Sequence, residues 1–84
     1  MIAEEIRKLI KDTLDSLAIE VGDFVVEHPT DLKMGDYSTN VGIKTGKAKE
    51  IFDYLAVEPP SSVERVELAG PGFINFYLSK EFFK

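Results

Sequence analysis

Ile2, Ile6, Leu9, Ile10, Thr13, Leu14 and Leu17 recur at three- and four-residue spacing, which predicts an amphipathic helix over residues 2–18. Its other face carries Glu4, Glu5, Arg7, Lys8, Lys11, Asp12 and Asp15. The pattern fades near Gly22-Asp23. Phe24-Val25-Val26-Glu27-His28 then predicts a short strand, closed by Pro29 because proline cannot donate to a ladder. Pro29 to Asp36 reads as a loop ending in a turn at Gly35-Asp36. Tyr37 to Ile43 predicts a second strand, with Thr39, Val41 and Ile43 on one side and Ser38, Asn40 and Gly42 on the other. Thr45 to Ala56 predicts a second helix, with Thr45 as N-cap, an apolar stripe of Ala48, Ile51, Phe52 and Leu55, and Pro59-Pro60 as its stop.

Ser62 to Ala69 predicts a third strand, in which Val66 and Leu68 alternate with Arg65, Glu67 and Ala69. Gly70-Pro71-Gly72 reads as a tight turn, with proline presetting one position and glycine accepting a positive φ. Phe73 to Leu78 predicts the fourth strand, which places Ile74, Phe76 and Leu78 on one face and Phe73, Asn75 and Tyr77 on the other. Ser79 reads as the cap of a further helix starting at Lys80. Phe82 and Phe83 stand there without apolar companions, so residues 1–79 are expected to form one domain and residues 80–84 the start of a linker toward a further domain.

The order helix, strand, strand, helix, strand, strand predicts an α+β fold of two layers: a four-stranded antiparallel sheet with both helices on one face. The other face would display Ser38, Asn40, Arg65, Glu67, Phe73, Asn75 and Tyr77. The chain has 84 residues, enough for one small domain. It has no cysteine and one histidine, so neither a disulfide framework nor a cysteine or histidine metal cluster can form. No apolar run approaches the ~20 residues needed to span a bilayer, and no secretory leader is visible. A cytoplasmic, non-membrane protein is the expectation.

The net charge of −5 argues against a bulk nucleic-acid binder, whose affinity comes from neutralising phosphates. Charge is uneven, however. From Asp31 to Lys49, four lysines against two aspartates give +2, which leaves −7 on the rest. His28 has no serine, cysteine or carboxylate partner at motif spacing, so no catalytic constellation is visible. The strand face of Phe73, Asn75 and Tyr77 carries the candidate chemistry. Two rings flanking an amide suit a surface that stacks on, and hydrogen-bonds to, an exposed base. The plainer reading is that strands take aromatics because these fit a half-buried pleated surface.

Two motifs carry a family resemblance. Gly35-Asp36-Tyr37-Ser38-Thr39-Asn40-Val41 resembles the glycine-aspartate-aromatic-x-x-asparagine signature in the N-terminal domain of arginyl-tRNA synthetases. Ala69-Gly70-Pro71-Gly72-Phe73-Ile74-Asn75-Phe76 resembles the second signature of that domain. Both stand in the right order behind the N-terminal helix. The resemblance implies a tRNA-binding accessory domain that contacts the D-loop at the tRNA elbow, ahead of the catalytic domain of the same chain. It implies a parent enzyme that ligates arginine to tRNA with ATP, and a monomer. Base contacts would map to Phe73 and Asn75. Tyr77, Asn40, Arg65, Lys44 and Lys47 complete the expected RNA-binding set. The HIGH-like and KMSK-like signatures of a synthetase core are missing, so these 84 residues are expected to have no catalytic residues, no metal and no cofactor of their own. The alternative is a module that docks on the synthetase body without reading bases.

Overall fold

The computed structural model describes residues 2–28, 35–57 and 63–78, the side chain of Ile2 excepted. Seven elements follow in order: α1 (Ile2–Ser16), β1 (Val26–Glu27), β2 (Tyr37–Thr39), α2 (Val41–Thr45), α3 (Ala48–Val57), β3 (Val63–Ala69) and β4 (Phe73–Leu78). The strands form one antiparallel sheet in the order β1-β2-β4-β3. The expected α+β fold is therefore present, with one helix more than the alternation suggested. The loop from Pro29 to Met34, the Pro59-Pro60 stop, Ser62, Ser79 and the segment from Lys80 onward lie outside the described residues.

The helical layer and one face of the sheet enclose a single core. Ile6, Ile10 and Leu14 enter it from α1, and Ile51 and Leu55 from α3. Tyr37, Val63, Val66, Ile74, Phe76 and Leu78 enter it from the strands. Each such side chain contributes ~1.5–3 kcal/mol by leaving water, set against the conformational entropy lost in ordering it. Thr13 is tolerated among them because its hydroxyl donates to the Leu9 carbonyl, 2.8 Å away. Arg7, on the polar side of α1, donates to the Phe24 carbonyl at 3.0 Å and lies over the Phe24 ring. It thereby pins the segment that leads into β1.

Four boundaries differ from the sequence expectation, each for a local reason. The first helix ends at Ser16 rather than at residue 18. The Ile19 N–H reaches the Leu14 carbonyl and the Ala18 N–H the Asp15 carbonyl, with Ala18 at φ +57°. This is the paired C-terminal bonding usually built on glycine, here built on alanine four residues before the glycine that seemed to mark the stop. The first strand shrinks to Val26–Glu27. Phe24 turns into the core, and the Val25 N–H goes to the Asn40 side chain instead of a ladder.

The second strand stops at Thr39, not Ile43. The Thr39 hydroxyl accepts the Val41 N–H, and the Asn40 carbonyl accepts the N–H groups of Ile43 and Lys44. Val41 is consequently buried while Ile43 is 43% exposed, a split that a strand would not give to residues two apart. Gly46, at φ +70°, ends this short helix, and α3 starts at Ala48. Thr45 is thus not the N-cap of the longer helix. Its hydroxyl donates to the Val41 carbonyl and accepts the Lys47 N–H. Of the predicted stripe, Ile51, Phe52 and Leu55 face the core, and Ala48 packs beside Gly42.

In β3 the register shifts between Val63 and Arg65. This bulge puts both Val63 and Val66 into the core although three positions separate them. Leu68 shares the side of Ile74 by register, yet lies toward the hairpin end of the edge strand and is 42% exposed.

The alanine in the left-handed position of the α1 terminus is a strained choice. Ala18→Gly is expected to raise stability by about 0.5–1 kcal/mol, read as a rise of a few degrees in thermal unfolding. No change or a fall would show that the Ala18 backbone costs nothing.

Candidate nucleic-acid interface

Strand pairing decides which side chains share the face turned away from the described helices. Tyr37 pairs with Phe76, Thr39 and Leu68 pair with Ile74, and Val66 pairs with Phe76, all on the core side. Alternate pairs therefore project the other way: Glu27 with Ser38, Ser38 with Asn75, Glu67 with Asn75, Arg65 with Tyr77, and Ala69 with Phe73. Four of the seven expected RNA-binding residues, Arg65, Phe73, Asn75 and Tyr77, are thus brought together on one face. The other three are not. Asn40 sits at the N-terminus of α2, with its side-chain oxygen accepting the Val25 N–H at 2.9 Å. Lys44 belongs to α2, and Lys47 to the junction of α2 with α3; both are exposed.

The four residues differ in how they present themselves. Phe73 and Tyr77 are both half-buried, and Arg65 lies over the Tyr77 ring. Asn75 between them is only 3% exposed and forms the floor of the face. Its Oδ1 accepts the hydroxyl of Ser38 at 2.9 Å. That bond fixes the orientation of the amide, and its NH₂ remains a donor for a partner. Arg65 is exposed. Its Nε donates to Glu67 Oε2 at 2.7 Å, and its guanidinium carbon stands 3.9 Å from the centre of the Tyr77 ring. The bond that Arg65 donates to Glu67 is the largest cause of the rise of its pKa above the ordinary arginine value.

The two sequence signatures hold this face in place. Gly35 adopts φ +88°, and a Cβ there would lie 2.8 Å from the Phe76 carbonyl oxygen. Only glycine lets the chain pass so close to β4. Asp36 follows with two bonds to that strand: its N–H donates to the Phe76 carbonyl at 2.9 Å, and its carboxylate accepts the Leu78 N–H at 2.8 Å. At the other end a Cβ on Gly42 would lie 2.4 Å from the Gly72 carbonyl oxygen and 2.5 Å from Ala48 Cβ. Gly70 and Gly72 both have positive φ, as the turn around Pro71 requires.

His28 also has a structural place. Its Nδ1 donates to the Asp36 carbonyl at 2.9 Å, and its ring lies against Tyr37, centroids 4.1 Å apart. Among the described residues no group of three or more carboxylate, histidine or cysteine side chains could hold a metal ion. No helix among them is long and apolar enough to cross a membrane.

Two contributors escaped the sequence reading. Ser38 was placed on the face but not as the anchor of Asn75, because the pairing of β2 with β4 spans 37 residues. Glu67 was placed there without a role. The available signal was opposite charge at two-residue spacing on one strand face, Arg65 and Glu67. Removing the Ser38 donor leaves a buried amide oxygen unpaired. Ser38→Ala is accordingly expected to cost about 1–3 kcal/mol of stability, measured by denaturant unfolding. A cost near zero would mean that Asn75 rearranges freely.

Comparison with known proteins agrees with this geometry. The family model for the arginyl tRNA synthetase N terminal domain matches residues 4–78. Similar curated proteins include the arginine–tRNA ligase of Chlorobium limicola, 44% identical over 88% of this chain and 15% of the relative. Another is the arginine–tRNA ligase of Staphylococcus carnosus, 41% identical over 96% of this chain and 16% of the relative. A third, from Chlorobium phaeovibrioides, is 40% identical over 90% and 15%. The chain thus spans about one-sixth of the length of the curated relatives it matches. With both signatures folded onto one strand pair and a match running from Glu4 to Leu78, the chain belongs to the family of arginyl-tRNA synthetase N-terminal domains.

Proposed function

We propose that this domain is the tRNA-recognition module of an arginine–tRNA ligase, and that the sheet face carrying Phe73, Asn75 and Tyr77 meets unpaired bases of the D-loop at the tRNA elbow. The ligase uses ATP in a separate catalytic domain of the same chain, and a monomeric cytoplasmic protein is the setting. One observation carries the reading: two half-exposed aromatic rings, Phe73 and Tyr77, flank a fixed amide on the sheet face turned away from the described helices. Phe73 supplies a stacking surface, which is sequence-tolerant because every base has a π-face. The Asn75 NH₂ offers a donor to a base edge. Asn40, Lys44 and Lys47 lie beyond the strand face. The two exposed lysines are suited to phosphates of flanking nucleotides, at long range and sensitive to salt.

The acidity of the chain supports recognition of a few splayed bases over broad backbone binding. It also makes the affinity of these 84 residues alone small at physiological salt.

Phe73→Ala in the full-length chain is expected to weaken tRNA recognition by about 1–3 kcal/mol. Use of arginine and ATP should stay near normal in the same aminoacylation assays. Unchanged charging kinetics in a folded variant would contradict the reading. Footprinting of the D-loop separates it from docking on the catalytic body: protection that survives loss of Phe73 and Tyr77 favours docking.

A further inference from the structure

Arg65 and Glu67 stand two residues apart on the outer side of β3, opposite Tyr77 and Asn75 respectively. An arginine on an exposed strand normally samples many rotamers. This one is tied at two points: Nε to the Glu67 carboxylate at 2.7 Å, and the guanidinium 3.9 Å from the Tyr77 ring centre. Its side chain is still 53% exposed, and that of Glu67 49%. At this end of the face an arriving ligand therefore meets a guanidinium plane lying on the tyrosine.

The surrounding charge decides what such a plane suits. Glu67 already balances Arg65, and Glu27 projects from the same face beside Ser38. A guanidinium whose charge is already balanced by a bonded carboxylate makes a poor phosphate site, and Glu27, three strands away across the sheet, only adds to the negative charge of the face. The pairing leaves intact the ability of a guanidinium plane to stack on a base, a use proteins make of arginine in single-stranded RNA recognition. Phe73 and Tyr77 are four positions apart on β4, about 13 Å at the usual rise of a strand. That is too far for one base to be sandwiched between both.

Resting on the reading of this face as an RNA surface, we propose that Arg65, held by Glu67 on top of Tyr77, is a second base-stacking platform, so that the face takes two separate unpaired bases, one on Phe73 and one on the Arg65 guanidinium. Asn75 lies on the floor between them, and Glu67 is a positioning residue that acts through Arg65.

The test is a titration of the full-length chain with its tRNA transcript at several salt concentrations, using Arg65→Lys, Arg65→Ala, Glu67→Gln and, as reference, Phe73→Ala. Thermal unfolding of each variant confirms its fold. Stacking predicts that Arg65→Lys weakens binding as much as Arg65→Ala, by about five-fold or more, with the salt slope unchanged. Glu67→Gln should weaken it less, because it only loosens the plane. If Arg65→Lys binds like the unmodified chain, or Arg65→Ala lowers the salt slope by about 0.7, the arginine is a phosphate contact and the proposal falls. If the Arg65 variants bind normally while Phe73→Ala binds weakly, the second platform is wrong and the RNA face stands. If Phe73→Ala also binds normally, both fail.

Discussion

Asp36 bonds twice to a strand 40 residues further along the chain. Its amide donates to the Phe76 carbonyl and its carboxylate takes the Leu78 N–H. This junction ties the start of β2 to the end of β4, the two central strands of the sheet. It sets β2 against β4 in the one register that sends Tyr37 and Thr39 inward and Ser38 outward. A slip of one residue would exchange the two faces of that strand. The junction needs Gly35 beside it, since any side chain there would collide with the Phe76 carbonyl. It is closed at the far end by Gly42 against the backbone of Gly72. The two sequence signatures are therefore first of all one structural unit: Gly35 of the first leaves room for the Phe76 carbonyl of the second, and Gly42, just after the first, leaves room for the Gly72 carbonyl.

The outward face is a product of that register. Ser38 reaches Asn75 because β2 and β4 are adjacent, and Arg65 reaches Tyr77 because the bulge before it has corrected the phase of β3. The chemistry of the face is accordingly fixed by side chains from three strands. Its most exposed ionic element, the Arg65–Glu67 pair, contributes little to stability, as exposed pairs generally do. Its value lies in holding a planar cation in one place.

Much of this was legible in the sequence where a single period ran unbroken. The three- and four-residue recurrence from Ile6 to Leu14 placed the first helix against the core. The alternation from Phe73 to Leu78 placed every side chain of the last strand on its correct face. Legibility failed where hydrogen bonds from side chains overrode the period. Thr39-Asn40 starts a helix through its own oxygens, so Val41 and Ile43, which alternate as strand residues would, end up on opposite sides of a helical turn. The end of the first helix was misplaced because alanine, not glycine, took the left-handed position. The candidate site was half legible. Residues within one strand could be grouped from spacing, whereas the anchoring of Asn75 by Ser38 and the distance of Asn40, Lys44 and Lys47 from the strand face depend on pairing between remote segments.

Amide hydrogen exchange at Leu78 measures the junction most directly. In the native chain the Leu78 N–H, held by the Asp36 carboxylate, should exchange far more slowly than in the unfolded chain. In Asp36→Ala it should lose most of that protection while Ile74 and Phe76, paired within the sheet, keep theirs. Rapid exchange at Leu78 in the native chain, or protection that survives the loss of Asp36, would contradict the account.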